Sequence, residues 1–168
     1  YEVTSNPNIH PDTAHLKSKL GAAMLFTAAG VPMLYHGQEF GMWTERTIDD
    51  NTIHWELLEH DHGRDLHAFY RGMIQLRHTC SALVSNNIAP LVMDQERKLM
   101  AYYRWSDDDS CHVVTVLNFG IEYHHVEVPF PRGGTWHEWA FDYDQDVSGD
   151  GPTTIDIPGS GAKVFVLK

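Results

Sequence analysis

The chain has 168 residues, a length that predicts one ordinary domain or one and a half small ones. Its 12 basic and 23 acidic residues give a formal charge of −11, which argues against nucleic acid or an anionic membrane surface as a partner. With 42% hydrophobic residues the composition is that of a globular protein, and there is no apolar run of about 18 residues that would predict a membrane span. We therefore expect a soluble protein. Its location stays open from the sequence, with the cytoplasm slightly favoured.

The first predicted element is a helix that begins near Asp12 and ends at Gly30. Apolar or small side chains recur along one of its faces, at Leu16, Leu20, Ala23, Met24 and Thr27. Glycine commonly terminates helices, and the apolar run over residues 31–35 that follows is typical of a fully buried strand. The order helix, glycine, strand is that of a repeating β/α unit.

A polar loop with two glycine hinges follows this predicted strand. Gly37 and Gly41 lie on either side of Gln38 and Glu39. In parallel α/β proteins the chemistry gathers at the carboxyl ends of strands, so Glu39 stands where a catalytic carboxylate could lie. The favoured interpretation is that Glu39 instead accepts hydrogen bonds from loop amides and braces the loop.

The ordered string Gly-Val-Pro-Met-Leu-Tyr-x-Gly-Gln-Glu-Phe-Gly closely resembles the segment at the last barrel strand of the α-amylase family of glycoside hydrolases. The positions that carry this structural motif are Gly30, Pro32, Tyr35, Gly37, Gln38, Glu39 and Gly41. The resemblance implies an enzyme that hydrolyses or transfers α-glucosidic bonds of starch- or glycogen-type glucans by a retaining mechanism. In the family the glutamate that matches Glu39 is not catalytic.

The loop over residues 42–63 contains the remaining candidates for contact with a sugar. The flat rings of Tyr35 and Trp43 suit stacking on a pyranose, and Arg46 could make polar contacts in a substrate cleft, so these three are the predicted substrate-binding residues. The alternatives are burial for the two rings and solvation for the arginine, as for Asp49 and Asp50. For Trp55 burial is the favoured interpretation.

A second helix is predicted from about Arg64 to Thr79. Its string Phe-Tyr-Arg-Gly-Met-Ile-Gln-Leu-Arg, over residues 69–77, is similar to a pattern in the last barrel helix of the family. Acidic residues near its start and Arg77 and His78 near its end suit the helix dipole.

Beyond residue 87 the apolar period changes from that of a helix to that of a strand. Strands are predicted over residues 99–105, 112–119, 123–129, 135–140, 153–157 and 163–167. Short strands at this spacing indicate an antiparallel sandwich, and the family carries such a domain directly after its barrel. The predicted fold is thus α/β followed by all-β. Residues 1–87 form the C-terminal end of a catalytic (β/α)8 TIM barrel, and residues 88–168 form a C-terminal β-sandwich domain.

No cofactor is expected. Asp142, Asp144 and Asp146 resemble the start of a calcium loop, but the sixth and twelfth positions lack the glycine and glutamate of that motif, which favours a solvated acidic turn. The 12 histidines lack the spacing of a metal site. Cys80 and Cys111 neither require nor exclude a disulfide.

Much of a barrel enzyme is missing from this sequence. A barrel needs roughly 200 residues or more, and the chain starts at Tyr1 rather than at methionine. We therefore expect an upstream barrel portion of the same protein, or a companion chain, to cover the apolar helix faces. We expect the two carboxylates of a retaining glycosidase to lie upstream as well, so no catalytic residue is assigned here.

Two other functions stay open from the sequence. The His-Asp motif that the family would place near residues 3–5 is absent, where Val3, Thr4 and Ser5 stand instead. This departure motivates the alternative of a non-catalytic α-amylase-like scaffold or carbohydrate-binding protein. A third possibility is a free-standing β-sandwich with a helical extension.

Overall fold

The computed structural model describes residues 10–43, 48 and 50–168, which form three layers: two α-helices, a six-stranded antiparallel sheet and a two-stranded sheet. The helices are α1 (Pro11–Thr27) and α2 (Asp61–Thr79), and short 3-10 helices cover Gln38–Phe40, Trp55–Glu59 and Ser81–Leu83. The strands are β1 (Ile88–Asp94), β2 (Leu99–Trp105), β3 (His112–Asn118), β4 (His124–Val128), β5 (Gly134–Glu138), β6 (Tyr143–Val147), β7 (Thr153–Ile157) and β8 (Ala162–Leu167). None of the helices in these ranges is long and apolar enough to cross a membrane.

Both predicted helices are confirmed. The side chain of His10 accepts a hydrogen bond from the amide of Asp12 at the start of α1, and a proline stands in the first turn, where its missing N–H costs nothing. Helix α2 begins three residues before the predicted position, at Asp61, because acidic and polar residues there suit a helix N-terminus. Its buried face is made by Gly63, Leu66, Tyr70, Met73 and Leu76.

Two arginines from elsewhere in the chain cap the carboxyl end of α1, whose last turn contains no basic residue. Arg77 of α2 donates to the carbonyl oxygen of Phe26 at 2.7 Å, and Arg104 of β2 donates to that of Thr27 at 2.6 Å. Arg104 is fully buried and donates also to the carbonyl oxygen of Ser85 at 2.6 Å. Main-chain carbonyls and the helix dipole therefore stabilise this buried positive charge, and they tie α1 to the sheet.

The large sheet has the strand order β1-β2-β3-β8-β5-β6, and β4 pairs with β7 in the small sheet. Every residue of the central strand β3 is buried, because both faces of the sheet are covered. Val113 and Leu117 belong to the core shared with the two helices. Val114 and Val116 belong to the second core, between the two sheets. The predicted C-terminal antiparallel sandwich is thus confirmed.

Two strands have no counterpart in the sequence prediction. Strand β1 contains Pro90 and lies at an edge of the large sheet, where proline is tolerated, with a bulge between Pro90 and Val92. Strand β6 occupies the predicted acidic turn. Tyr143 packs against the inter-sheet core and Val147 forms part of it, while the acidic residues between them are exposed at the sheet edge.

The two cysteines form a disulfide that connects the helical layer to the large sheet. Cys80 follows the last residue of α2 and Cys111 precedes β3, with a sequence separation of 31. Both side chains pack in the core beneath the helices. The structure therefore decides a pairing that two cysteines alone leave open.

The predicted buried strand over residues 31–35 is wrong for the described chain. These residues pair with neither sheet, and Val31 and Met33 are 96% and 80% exposed. A parallel strand needs neighbours on both sides to bury it, and the described residues supply none there. Leu16 and Met24 of α1 are also exposed, which adds to the open apolar area.

Candidate functional site

The glycine-hinged loop is the centre of the candidate site. Gly37 and Gly41 have φ angles of +84° and +79°, in the left-handed region that favours glycine, and they flank the 3-10 helix Gln38–Phe40. A Cβ atom on Gly37 would lie 2.6 Å from the sulfur of Met42. The tight turn therefore requires glycine at this position. Gly30, with φ of +109°, terminates the segment that leads out of α1.

Gln38 fixes the loop to the second helix. Its amide nitrogen donates to the hydroxyl of Tyr70 at 3.0 Å, and its carbonyl oxygen accepts from the backbone N–H of Tyr35 at 3.4 Å. Tyr70 is fully buried, and burial raises the pKa of its hydroxyl. The Gln38 side chain thus connects Tyr35, which lies before the turn, to Tyr70 of α2. This connection holds the loop against the second helix. The sequence pointed to Gln38 through the motif but contained no signal for its partner.

Glu39 projects from the same short helix. One of its carboxylate oxygens, Oε2, is buried and has no hydrogen-bond partner among the described residues. Leaving a buried carboxylate oxygen unsatisfied is costly, so this atom marks a place where a donor is needed. The bracing of loop amides by Glu39 stays a prediction.

The aromatic candidates differ in how far they are exposed to solvent. Tyr35 and Trp43 are each about half exposed, and the Tyr35 ring stacks on His36 with 4.4 Å between centroids. Burial of Trp55 is wrong: this residue is 61% exposed, although the Phe40 ring lies 5.6 Å from its ring, centroid to centroid. Arg46 lies outside the described residues, as do Asp49 and the positions of the expected His-Asp motif. Pro32 is half-buried beside the exposed Val31.

A cavity of about 420 Å³ opens beside the loop, between the amino ends of α1 and α2. Phe40 and Trp43 line one part of it, and His15, His60 and His62 line another. The sequence missed this grouping because the residues come from three separate elements. Among the described parts of the chain, no group of three or more histidine, cysteine or acidic side chains could hold a metal ion.

An ion-pair cluster lies at the rim of this cavity. Asp65 accepts from Lys19 and pairs with His15, with both distances at 2.5 Å. Partial burial on its own would raise the pKa of Asp65, but the hydrogen bonds from Lys19 and His15 hold that pKa below its usual value. The cluster joins the first helix to the second beside the cavity, which His15 lines.

The three aspartates of the suggested calcium loop are not gathered around one point. Asp144 pairs with Lys168 at 2.6 Å and with His137 at 2.9 Å, and Asp146 accepts from the hydroxyl of Thr135 at 2.8 Å. The three side chains are exposed. Two of them therefore serve as cross-strand partners on β6.

Comparison with known proteins gives a consistent result. The family described as "Alpha amylase, C-terminal all-beta domain" matches residues 91–168. Neopullulanase 2 of Thermoactinomyces vulgaris is 34% identical over 125 residues, which cover 71% of this chain and 21% of that protein. Cyclomaltodextrinase of a Bacillus species is 33% identical over 101 residues, which cover 58% of this chain and 17% of that protein. The chain spans about a fifth of the length of these curated relatives.

The fold also matches that of solved structures. The structure of AmyP in complex with maltose superposes with a TM-score of 0.76 at 14% sequence identity, over 93% of this chain and 35% of that one. The match extends over nearly all of the chain, so it includes the helical layer as well as the sheets. At this identity the likeness concerns the fold alone.

Proposed function

The chain belongs to the α-amylase family, whose C-terminal all-β domain it carries over residues 91–168, and from this premise we propose that it is part of an enzyme acting on α-glucosidic bonds of starch- or glycogen-type glucans. The reaction follows a retaining mechanism, in which two carboxylates about 5 Å apart act as nucleophile and acid/base. Those carboxylates belong to an upstream barrel portion of the same protein or to a companion chain. The described segment completes the barrel and carries the β-domain.

The observation that carries this proposal is the exposure of the apolar segment over residues 31–35. It follows α1 directly, and Val31 and Met33 are almost fully solvent-exposed. Burying one such side chain stabilises a protein by about 1.5–3 kcal/mol. An exposed apolar area of this kind is typical of an interaction surface, and a neighbouring barrel strand is the partner that suits an apolar segment that pairs with neither sheet of the described chain.

The division into two domains follows from the same proposal. Residues 1–87 supply the last barrel strand, the loop beside the sugar cleft and the closing helix, and residues 88–168 form the β-sandwich. The core beneath the helices supports this arrangement, because Phe26 and Tyr70 pack there with Tyr102 and Val164 of the large sheet. The β-domain thus covers one side of the barrel helices.

Within the site, Gly37 and Gly41 shape the loop and Gln38 holds it on α2. Tyr35 and Trp43 stack on glucosyl rings, and Arg46 makes polar contacts with them. Glu39 accepts a hydrogen bond from a main-chain amide of the upstream portion, which satisfies its buried Oε2 atom. These roles rest on the half-exposed rings and on the unpaired oxygen.

Turnover of a soluble α-glucan tests the proposal. The assay compares the chain alone with the same chain extended by the sequence that its gene encodes before Tyr1. We expect no turnover by the chain alone and release of reducing sugar by the extended protein. Met33→Asp should abolish turnover by the extended protein, because it places a charge inside the barrel wall. Met93→Asp is the matched control, since Met93 is 61% exposed on the edge strand β1 and should tolerate the charge.

Two results would count against the proposal. Turnover by the chain alone would contradict the assignment of the carboxylates to an upstream portion. An extended protein that binds the glucan without turnover would support the non-catalytic scaffold or carbohydrate-binding protein instead.

A further inference from the structure

The cleft loop, residues 30–43, is held by α2 at two points. Tyr70 and Arg77 stand seven positions apart on α2, which is close to two helical turns, so their side chains leave the same face of the helix. Neither residue belongs to the cleft loop, which contains the candidate sugar contacts. Hydrogen bonds from these two residues reach the chain on either side of the exposed apolar segment over residues 31–35.

Arg77 fixes the beginning of the cleft loop. Its guanidinium donates to the carbonyl oxygens of Phe26 at 2.7 Å, of Ala28 at 3.2 Å and of Gly30 at 2.5 Å. A guanidinium presents several donors in one rigid plane, which the ammonium of a lysine cannot reproduce. Because the three acceptors are alternate carbonyls of one stretch of chain, Arg77 restricts the direction in which the chain leaves α1.

Tyr70 fixes the far end of the apolar segment through Gln38. The Tyr70 hydroxyl accepts from the Gln38 amide nitrogen at 3.0 Å, and the Gln38 carbonyl oxygen accepts from the backbone N–H of Tyr35 at 3.4 Å. The Tyr70 ring meets that of Phe26 edge to face at 5.9 Å, and the residue is only 1% exposed. A hydroxyl on such a tightly packed ring gives the loop an acceptor at a fixed position.

Between these attachments the side chains divide between core and solvent. Leu34 packs against the core beneath the helices, whereas Val31 and Met33 are exposed. The half-exposed rings of Tyr35 and Trp43 lie farther along the same loop. A binding surface that is held in place before the ligand arrives loses less entropy on binding than a flexible one. Residues that hold the loop can therefore change the affinity for a ligand without touching it.

We propose that Tyr70 and Arg77 are positioning residues, which set the affinity for an α-glucan by holding the loop that contacts it. Arg77 acts through main-chain carbonyls, and Tyr70 acts through Gln38. The choice of an α-glucan as the ligand rests on the proposed function. The two attachments themselves are properties of the described chain and can be tested without a ligand.

Hydrogen exchange of the chain alone tests the attachment by Tyr70. The amides of residues 38 and 40–42 donate to carbonyl oxygens within the turn at 2.9–3.3 Å, so their exchange reports opening of the loop. Tyr70→Phe keeps the ring and removes the hydroxyl, and we expect it to speed this exchange by about fivefold. Tyr103→Phe is the matched control, because the Tyr103 hydroxyl is bonded to His112 at 2.6 Å within the β-domain. It should leave the exchange of these amides unchanged.

Turnover of maltoheptaose by the protein extended with the sequence that its gene encodes before Tyr1 tests the effect on affinity. We expect KM to rise by about fivefold in Tyr70→Phe and by about tenfold or more in Arg77→Met. The kcat should stay nearly unchanged, because the loop contacts are lost equally in the ground state and the transition state. Arg71→Met, exposed on the same helix, and Tyr103→Phe are the controls and should leave KM unchanged. Thermal unfolding verifies that each variant is folded.

The outcomes separate this inference from the proposed function. Unchanged exchange in Tyr70→Phe, or equal acceleration in Tyr103→Phe, would overturn the attachment. An unchanged KM in Tyr70→Phe and Arg77→Met, or a loss of kcat alone, would overturn the positioning role. An extended protein that binds maltoheptaose without turnover would count against the proposed function alone, and its calorimetric affinity then replaces KM in the same comparison of variants. An extended protein that does not bind maltoheptaose would overturn both.

Discussion

Removal of the disulfide between Cys80 and Cys111 should destabilise the chain substantially. The bond closes a loop whose ends are separated by 31 positions. The chain-entropy relation gives an unfolded-state constraint of about 12 cal/mol/K for a loop of this size, or about 3.7 kcal/mol at room temperature. For a chain of this length that corresponds to a fall in Tm of about 7–15 °C.

Urea unfolding of the double variant Cys80→Ala and Cys111→Ala measures this loss. Because both side chains pack in the core beneath the helices, the substitutions also remove packing. The unmodified chain in dithiothreitol isolates the effect of the bond, and we expect it to lose about 3–4 kcal/mol without any change of side chain. Dithiothreitol should leave the double variant unaffected.

A loss below about 1 kcal/mol on reduction would refute this reasoning, because the loop entropy would then be absent or offset. Further destabilisation of the double variant by dithiothreitol would also refute it, since no disulfide would remain to be reduced.

Three further predictions concern single positions. Arg104→Met should lower the free energy of unfolding by about 3 kcal/mol in urea, because the carbonyls of Thr27 and Ser85 lose a charged donor. Arg97→Met, at an exposed ion pair with Asp94, is the control and should lower it by less than about 1 kcal/mol. Equal losses in the two variants would contradict the capping role of Arg104. Gly37→Ala should cost about 1–2 kcal/mol and loosen the loop, while Gly151→Ala, whose added Cβ meets no atom within 4 Å, should be nearly neutral, as measured by thermal unfolding. Burial, opposed by amide hydrogen bonds, raises the pKa of Glu138, so the folded chain holds this proton more tightly than the unfolded chain. Its contribution to stability should therefore fall as pH rises through the ordinary and then the native pKa, and Glu138→Gln should flatten urea midpoints measured between about pH 4 and 7; an unchanged slope would show that Glu138 does not cause it.

The local elements of this fold were predictable because their signals are local. Residues 99–105 are mostly apolar and contain neither glycine nor proline, which favours a strand. The observed strand Leu99–Trp105 occupies the predicted range. The edge strands gave weaker signals. Pro90 interrupts β1, and the acidic residues between Tyr143 and Val147 read as a turn although they alternate on β6. In both segments the residue types disfavoured a strand, although the observed strands have side chains that alternate in exposure.

Burial and long-range contacts were not predictable in the same way. The apolar pattern of residues 31–35 indicates what the segment prefers, but its burial depends on neighbours that the described chain does not contain. The contact of Gln38 with Tyr70 spans 32 positions, and that of His125 with Asp156 spans 31. Such pairs depend on how the layers pack, and a single sequence contains no direct signal for that packing.

Hydrogen exchange at the amides of residues 31–35 tests the central claim most directly, with the amides of residues 113–117 in β3 as the internal reference. The account predicts rapid exchange of residues 31–35 in the monomeric chain alone and strong protection in the extended protein, where barrel strands pair with them. Strong protection of these amides in the monomeric chain alone, or equally rapid exchange in both proteins, would contradict it.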